Sequence, residues 1–100
     1  MLNELKHNQK LIELFREYGI TEASLFGSQL NGKAKKNSDI DLLIDYDVKD
    51  PRMGFPGPIY LEKRLRKLLG KKVDVCDKMY IIPELKEEIC STAKLFYKAN

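Results

Sequence analysis

The sequence predicts a small mixed α/β domain, in which a sheet of about three or four strands is flanked by helices. Apolar residues recur at helical spacing near both ends of the chain, and a short aliphatic run between them alternates at period two. Breaks that contain glycine or proline separate these segments. A chain of 100 residues has the length of one small domain, so residues 1–100 are predicted to form a single domain.

Three helices are predicted from the spacing of apolar side chains. The first covers residues 3–18 and the second covers residues 59–69. Each is followed by a glycine suited to the end of a helix, Gly19 and Gly70 respectively. The last helix is predicted to begin at Pro83, because proline is tolerated in the first turn. The side chains expected to be buried along this helix are Leu85, Ile89, Ala93 and Phe96.

Strands are predicted over residues 23–26, 39–46 and 72–76, from short apolar runs bounded by turn-forming residues. Along the second strand, successive side chains point to opposite faces of the sheet. One face carries Ile40, Leu42, Ile44 and Tyr46, and the other carries Asp39, Asp41, Leu43 and Asp45. This strand is therefore expected to bury an apolar face and to present an acidic one. The sequence leaves the order of the strands open.

Residues 47–58 are rich in proline and glycine, and they are predicted to form an irregular loop. Met53 and Phe55 are apolar residues of this loop, and we expect them to be exposed. Phe55 has two interpretations. It either belongs to a rim that closes over a nucleotide or touches a partner, or it packs into the core.

Composition and charge exclude several classes of protein. A hydrophobic content of 43% with 33% charged residues is typical of a folded globular domain. The net charge of +3 is smaller than expected for a protein that binds nucleic acid by charge alone. Cys76 and Cys90 lack metal-binding spacing and are expected to be reduced thiols. Without a signal peptide or a membrane-length apolar run, the expected location is the cytoplasm.

The strongest chemical signal is the pair Asp39 and Asp41, two carboxylates at positions i and i+2 of one predicted strand. Both project from the same face and repel each other unless a cation lies between them. Mg²⁺ prefers oxygen ligands of this kind. Asp74 lies on the next predicted strand, and if the two strands are neighbours, three carboxylates converge on one site. Two aspartates at this spacing, taken alone, commonly mark only a solvated strand end. The metal-site prediction therefore depends on the combination of this pair with Asp74.

Gly27 and Ser28 stand where the first strand is predicted to end, and a polar, lysine-rich segment follows them. Ser28 is suited to cap a short helix there. Glycine lets backbone amides approach a ligand closely, and helix N-termini favour phosphate. The alternative is an ordinary turn, which a Gly-Ser pair usually forms. Ahead of the carboxylates, Gly27 and Ser28 indicate a phosphate-binding turn beside a two-metal site for phosphoryl transfer.

These motifs resemble the signature of the minimal nucleotidyltransferases, which belong to the DNA polymerase β-like nucleotidyltransferase superfamily. The resemblance covers nearly the whole chain. The segments that carry it are residues 25–28, 39–44 and 68–75, and residues 83–89 running on to 94–97, together with Gly32, Ala34 and Ser38. The resemblance implies a polymerase β-like fold and the transfer of a nucleoside monophosphate from a nucleoside triphosphate.

The resemblance also implies roles for individual residues. Gly27 and Ser28 would hold the triphosphate, and Asp39 and Asp41 would bind both of two Mg²⁺ ions. Asp74 would complete the metal that activates the acceptor hydroxyl, and it is also a candidate base. Proteins of this kind are similar to antitoxins that adenylylate a tyrosine of a HEPN-domain ribonuclease toxin. We therefore expect ATP as the substrate and such a toxin as the partner, rather than a membrane or a nucleic acid.

The sequence departs from the family pattern in one place. Many members carry an arginine shortly after the serine, whereas this chain has Gln29 and Asn31. Arginine would contact a phosphate through two hydrogen bonds, and Lys33, Lys35 and Lys36 offer only point charges in its place. The alternative function is therefore a non-catalytic nucleotidyltransferase-like module that neutralises a partner by contact. The nucleotide base, the acceptor and any self-association are left open by the sequence.

Overall fold

The computed structural model describes residues 2–26, 40–54 and 57–99 of the chain, and the fold is given for these residues. A short 3₁₀ turn at Lys78–Tyr80 precedes the last helix. The helices are α1 (Leu2–Lys6), α2 (Gln9–Glu17), α3 (Gly57–Leu69) and α4 (Pro83–Thr92). The strands are β1 (Ile20–Phe26), β2 (Ile40–Tyr46), β3 (Val73–Asp77) and β4 (Lys94–Lys98).

The four strands form one mixed sheet in the order β3-β2-β1-β4. β1 pairs antiparallel with both β2 and β4, whereas β2 and β3 are parallel. The parallel pair is connected through α3, since parallel neighbours need a crossover. This architecture confirms the predicted mixed sheet of three or four strands with flanking helices.

The core lies on one face of the sheet, under α2 and α3. The predicted alternation along β2 is confirmed, because Ile40, Leu42 and Ile44 are at most 1% exposed, whereas Asp41 and Asp45 on the other face are partly exposed. The helices bury Leu11 and Phe15 from α2 and Leu61 and Leu65 from α3 against this apolar face. The sheet therefore has one closed face and one face that offers carboxylates.

The single N-terminal helix predicted over residues 3–18 is wrong, since two helices form there. Asn8 separates them in an extended conformation, and its Oδ1 accepts a hydrogen bond from the Leu11 backbone N–H at 3.1 Å. This is an N-cap interaction, for which asparagine is among the preferred residues. After α2, Gly19 adopts a φ of 68°, and β1 begins at the next residue rather than at residue 23.

The prediction for the C-terminus is also wrong, because α4 ends at Thr92 and residues 94–98 form a strand. No residue of α4 is buried, and Leu85 is 44% exposed. Phe96 is buried as predicted, but from β4. A register shift between Ala23 and Ser24 of β1 allows both Phe96 and Tyr97 to contact Phe15, with ring centroids 6.0 and 5.0 Å away.

Two smaller predictions are corrected around α3. Met53 is buried rather than exposed, and it lies against Gly57, where an added Cβ would be 2.8 Å from the Met53 Sδ. Gly57 therefore allows the close approach that buries Met53. Ile59, expected on the buried side of the helix, is 57% exposed. The prediction for Phe55 lies outside the described residues.

Candidate active site

The parallel register of β2 and β3 places Asp41 directly beside Asp74. Residues paired across neighbouring strands project from the same face, and neighbouring strands lie about 5 Å apart. Convergence of these carboxylates requires that the two strands be neighbours, and that condition is met. Two carboxylates at this spacing can share one cation.

The end of β1 lies next to this pair. Phe26, the last residue of β1, is the antiparallel partner of Asp41. Gly27 and Ser28 follow Phe26 in the sequence, and Asp39 precedes β2. These three residues, and the short helix predicted after Ser28, lie outside the described residues. Their roles in binding the triphosphate and the metal stay predictions.

Asp74 is accessible, since its side chain is 48% exposed. Its Oδ1 lies 3.6 Å from the Nη2 of Arg66, which is an attractive distance but longer than a hydrogen bond. The same nitrogen donates to Glu62 Oε1 at 2.8 Å. Asp74 therefore has a nearby positive charge while its oxygens remain open to a ligand.

Glu62 and Arg66 also contact the backbone of β3, and the sequence analysis missed them. Glu62 accepts a hydrogen bond from the Val75 N–H through Oε2 at 3.0 Å, and Arg66 donates from Nε to the Val73 carbonyl at 3.1 Å. The available signal was their i, i+4 spacing on α3, which is typical of any exposed helix. Only the packing of α3 against β3 distinguishes this pair.

The donor set at the paired carboxylates fits a hard divalent cation. Within the described part of the chain, no three His, Cys, Asp or Glu side chains cluster as a complete metal site. Asp41 and Asp74 nevertheless supply two carboxylates, and Mg²⁺ is typically held by one or two carboxylates together with substrate phosphates. Asp39 is the further candidate ligand. An oxygen-only set of this kind favours Mg²⁺ over softer metals.

Cys76 lies on the same face of β3 as Asp74, opposite Leu43. Burial raises the pKa of the Cys76 thiol, and the negative charges of Asp77 and Asp41 raise it further. The thiol therefore stays protonated at neutral pH and is a poor metal ligand. Both cysteines are free, as predicted.

The opposite ends of β2 and β3 are joined by a hydrogen bond. The Tyr46 hydroxyl donates to Asp77 Oδ2 at 2.5 Å. This bond to the carboxylate is the main reason that the pKa of Tyr46 is raised to about 12, with burial as the next cause. Asp77 also accepts from the Met79 N–H at 2.9 Å. Asp77 therefore helps to hold the C-terminal ends of β2 and β3 together.

Two cavities formed by described residues lie away from this pair. One of about 590 Å³ lies between α2 and α3, and its lining includes Lys10, Glu13 and Arg64. Another of about 540 Å³ lies at the end of β2, and its lining includes Tyr46 and Tyr80. Neither is lined by Asp41 or Asp74. The carboxylate pair is identified by its chemistry and by the strand register, not by either of these two cavities.

Comparison with known proteins identifies relatives over most of the chain. Residues 9–100 match the family described as polymerase beta, nucleotidyltransferase. The chain is 34% identical over 92 residues to a Methanocaldococcus jannaschii protein that is named for an inferred protein adenylyltransferase activity. That match covers 92% of this chain and 94% of the relative.

Solved structures share the fold. One is a toxin–antitoxin complex with AMP-PNP, with a TM-score of 0.72 and 26% identity, covering 91% of this chain and 73% of that one. Another is the complex of a tri-AMPylated Shewanella oneidensis HEPN toxin with an MNT antitoxin. It has a TM-score of 0.68 and 22% identity, covers 99% of this chain and 74% of that one, and shows likeness of fold.

None of the helices within the described ranges has the length and apolar character needed to cross a membrane.

Proposed function

The chain belongs to the polymerase β nucleotidyltransferase family, and from this membership we propose that it is a metal-dependent protein adenylyltransferase that acts as an antitoxin. The nucleotidyltransferase class predicted from the sequence is confirmed by that membership. The observation that supports the proposed metal dependence most strongly is the pairing of Asp41 with Asp74 on one face of adjacent parallel strands. Carboxylates in this arrangement can hold a cation against a triphosphate.

In the proposed reaction, a hydroxyl oxygen of the acceptor bonds to the α-phosphorus of ATP. The bond from that phosphorus to the bridging oxygen breaks, and pyrophosphate leaves. Asp41 and Asp74 supply oxygen ligands, and Asp39 would join them. Bound Mg²⁺ would neutralise charge on the triphosphate and favour ionisation of the acceptor hydroxyl. Asp74, which is half exposed, is the candidate group to receive the hydroxyl proton.

Gly27 and Ser28 would contribute backbone amides and a hydroxyl to the triphosphate. This part of the proposal follows from their place in the sequence, directly after the β1 residue that pairs with Asp41. A phosphate held there would lie close to the carboxylate pair.

The proposed acceptor is a tyrosine hydroxyl of a HEPN toxin, and the proposed location is the cytoplasm. The similar complexes described above support a HEPN toxin as the acceptor, since one holds AMP-PNP and another contains a tri-AMPylated HEPN toxin with its MNT antitoxin. ATP is accordingly the proposed nucleotide.

A second candidate function is neutralisation of the partner by contact alone. The observation that favours it is the absence of arginine after Ser28, where Gln29 and Asn31 stand. Neutral amides offer a phosphate weaker hydrogen bonds than a guanidinium does. The two candidates differ in whether neutralisation of the partner requires Asp41.

The test is to incubate the chain with Mg²⁺, the protein encoded beside it, and each of the four triphosphates labelled at the α-phosphate. We expect label from ATP to enter the partner, and Asp41→Asn to lower the rate about a hundredfold or more, since metal ligation supplies several kcal/mol. Asp45→Asn is the matched control, because Asp45 lies on the same face of β2 and its side chain is 43% exposed. A partner that binds stably without labelling, and is still neutralised by the Asp41→Asn variant, would establish the contact mechanism instead.

A further inference from the structure

We propose that Glu62 and Arg66 of α3 are positioning residues for Asp74. Together they hold β3, the strand that carries Asp74, in register. Glu62 also keeps the Arg66 guanidinium close to the Asp74 carboxylate but not hydrogen-bonded to it. The inference rests on the proposed function in one respect, namely that Asp74 is a metal ligand. Neither residue belongs to the segments that carry the nucleotidyltransferase signature around Gly27 and Asp41.

Glu62 and Arg66 hold the backbone of β3 from its outer side. Among the residues that the structure describes, this strand is at the edge of the sheet and pairs only with β2. The carbonyl of residue 73 and the N–H of residue 75 point to its outer side, where an edge strand has no strand partner. Arg66 donates to that carbonyl at 3.1 Å, and Glu62 accepts from that N–H at 3.0 Å. Asp74 thus lies between two anchored peptide groups.

This anchoring determines where the Asp74 carboxylate lies. Side chains alternate along a strand, so a slip of one residue would move Asp74 to the opposite face of the sheet, away from Asp41. Edge strands are the strands most open to such a slip, because only one side is held by a ladder of hydrogen bonds. The two contacts from α3 replace the missing ladder on the outer side.

The Arg66 guanidinium lies near two carboxylates, those of Glu62 and Asp74. Arg66 Nη2 is 2.8 Å from Glu62 Oε1 and 3.6 Å from Asp74 Oδ1. Glu62 therefore holds the guanidinium just short of hydrogen-bond contact with Asp74. If Glu62 lost its charge, Arg66 would need only a small movement to bond Asp74 directly. A guanidinium bonded there would compete with a cation for the same oxygens.

Substitution of Glu62 by glutamine separates its contact with the β3 backbone from the effect of its charge on Arg66. The glutamine side chain retains an amide oxygen that can accept from the Val75 N–H, but it has no charge with which to hold Arg66. The Glu62→Gln variant is therefore expected to retain β3 while weakening cation binding at Asp74. Replacing Arg66 as well, in a Glu62→Gln/Arg66→Gln variant, removes the guanidinium that competes for Asp74. The glutamine amide nitrogen stands at the position of the arginine Nε and can still donate to the Val73 carbonyl, so β3 stays anchored and affinity should recover.

The experiment is a titration of the purified full chain with Mn²⁺, followed by the loss of the free-ion EPR signal. The variants are Glu62→Gln, the double variant and Asp74→Asn. Arg64→Gln is the matched control, because Arg64 is a neighbouring exposed arginine on α3 that pairs with Glu17 instead. Amide hydrogen exchange at Val75 and thermal unfolding show in parallel whether β3 remains paired in each variant.

We expect Glu62→Gln to weaken Mn²⁺ binding about tenfold, in the range typical for partners that orient metal ligands. The double variant should bind more tightly than Glu62→Gln, and Arg64→Gln should match wild type. The inference is overturned if Glu62→Gln binds Mn²⁺ like wild type, or if the double variant is as weak as the single one. If Asp74→Asn itself leaves Mn²⁺ affinity unchanged, the metal role of Asp74 in the proposed function fails, and the inference fails with it.

Discussion

Replacing Tyr46 by phenylalanine removes the hydrogen bond that joins the far ends of the two strands carrying Asp41 and Asp74. The Tyr46 hydroxyl donates to Asp77 Oδ2 at 2.5 Å, and phenylalanine leaves the rest of the ring in place. Asp77 keeps its hydrogen bond from the Met79 N–H, so its carboxylate is not stranded. The substitution therefore tests one bond with little change in packing.

The magnitude follows from the type of bond. A hydrogen bond to a charged group contributes about 1.5–3 kcal/mol to stability, and partial exposure of Tyr46 reduces this to about 1–2 kcal/mol. For a domain of this size, each kcal/mol corresponds to about 4–8 °C in Tm. We expect the Tyr46→Phe variant to unfold roughly 4–16 °C below wild type at pH 7. Tyr60→Phe, at an exposed position on α3, should leave Tm unchanged.

The pH dependence of this difference has a defined sign. The pKa of Tyr46 is raised from 10.0 to about 12 in the folded protein. Below pH 10 the phenol is protonated in both folded and unfolded chains, so the stabilisation is fully present. Between pH 10 and about 12 the unfolded state ionises first, and the stabilisation is progressively lost.

Urea unfolding of wild type, Tyr46→Phe and Tyr60→Phe at pH 7, 9 and about 11 measures this difference. The gap between wild type and Tyr46→Phe should be equal at pH 7 and 9 and should shrink at the highest pH. A variant as stable as wild type at pH 7, or a gap that persists at high pH, would refute the proposed strength of the Tyr46–Asp77 bond.

Two further predictions concern the fold. Asn8→Ala removes the N-cap of α2 and should cost about 1 kcal/mol, whereas Asn8→Asp retains an acceptor and should cost less. Urea unfolding measures both, and equal loss in the two variants would contradict the capping role. Gly57→Ala places a Cβ 2.8 Å from Met53 Sδ and should cost about 1–3 kcal/mol. In a Gly57→Ala/Met53→Ala variant the clash should be absent, so the loss of stability should be smaller than the sum of the two single losses. A double variant whose loss equals that sum would contradict the close approach.

The parts of the fold that the sequence predicts well are those whose local pattern agrees with their packing. The alternation is confirmed at Ile40, Leu42 and Ile44, because helices bury this face of β2, whereas Asp41 and Asp45 on the other face are partly exposed. Leu43 also lies on that other face but is buried. β4 was missed because its bulge turns both Phe96 and Tyr97 toward the core. Two consecutive buried aromatic residues do not show the alternation of buried and exposed positions that is typical of a strand. Phe96 instead continues the helical spacing of apolar residues from α4, so the strand is not recognisable in the sequence.

The candidate site was predictable to a similar degree. Asp41 and Asp74 could be selected because carboxylates on two short strands are unusual, but their adjacency depends on strand order, which no local pattern reveals. Glu62 and Arg66 could not be selected, since an i, i+4 ion pair is common on solvated helices. Their contacts with β3 arise from the crossover packing of α3 and are invisible until the fold is known.

The measurement that tests the paired-carboxylate site most directly is Mn²⁺ titration of the ¹⁵N-labelled chain followed by NMR. Paramagnetic broadening falls steeply with distance, and Tyr46 lies about 16 Å along β2 from Asp41. We expect the amide signals of Asp41 and Asp74 to broaden first and together, and those of Tyr46 and Asp77 to broaden last. Asp41→Asn should greatly weaken the effect at both strands. Broadening centred on Asp45 and Asp77, or spread evenly over the acidic residues, would contradict a shared cation site at Asp41 and Asp74.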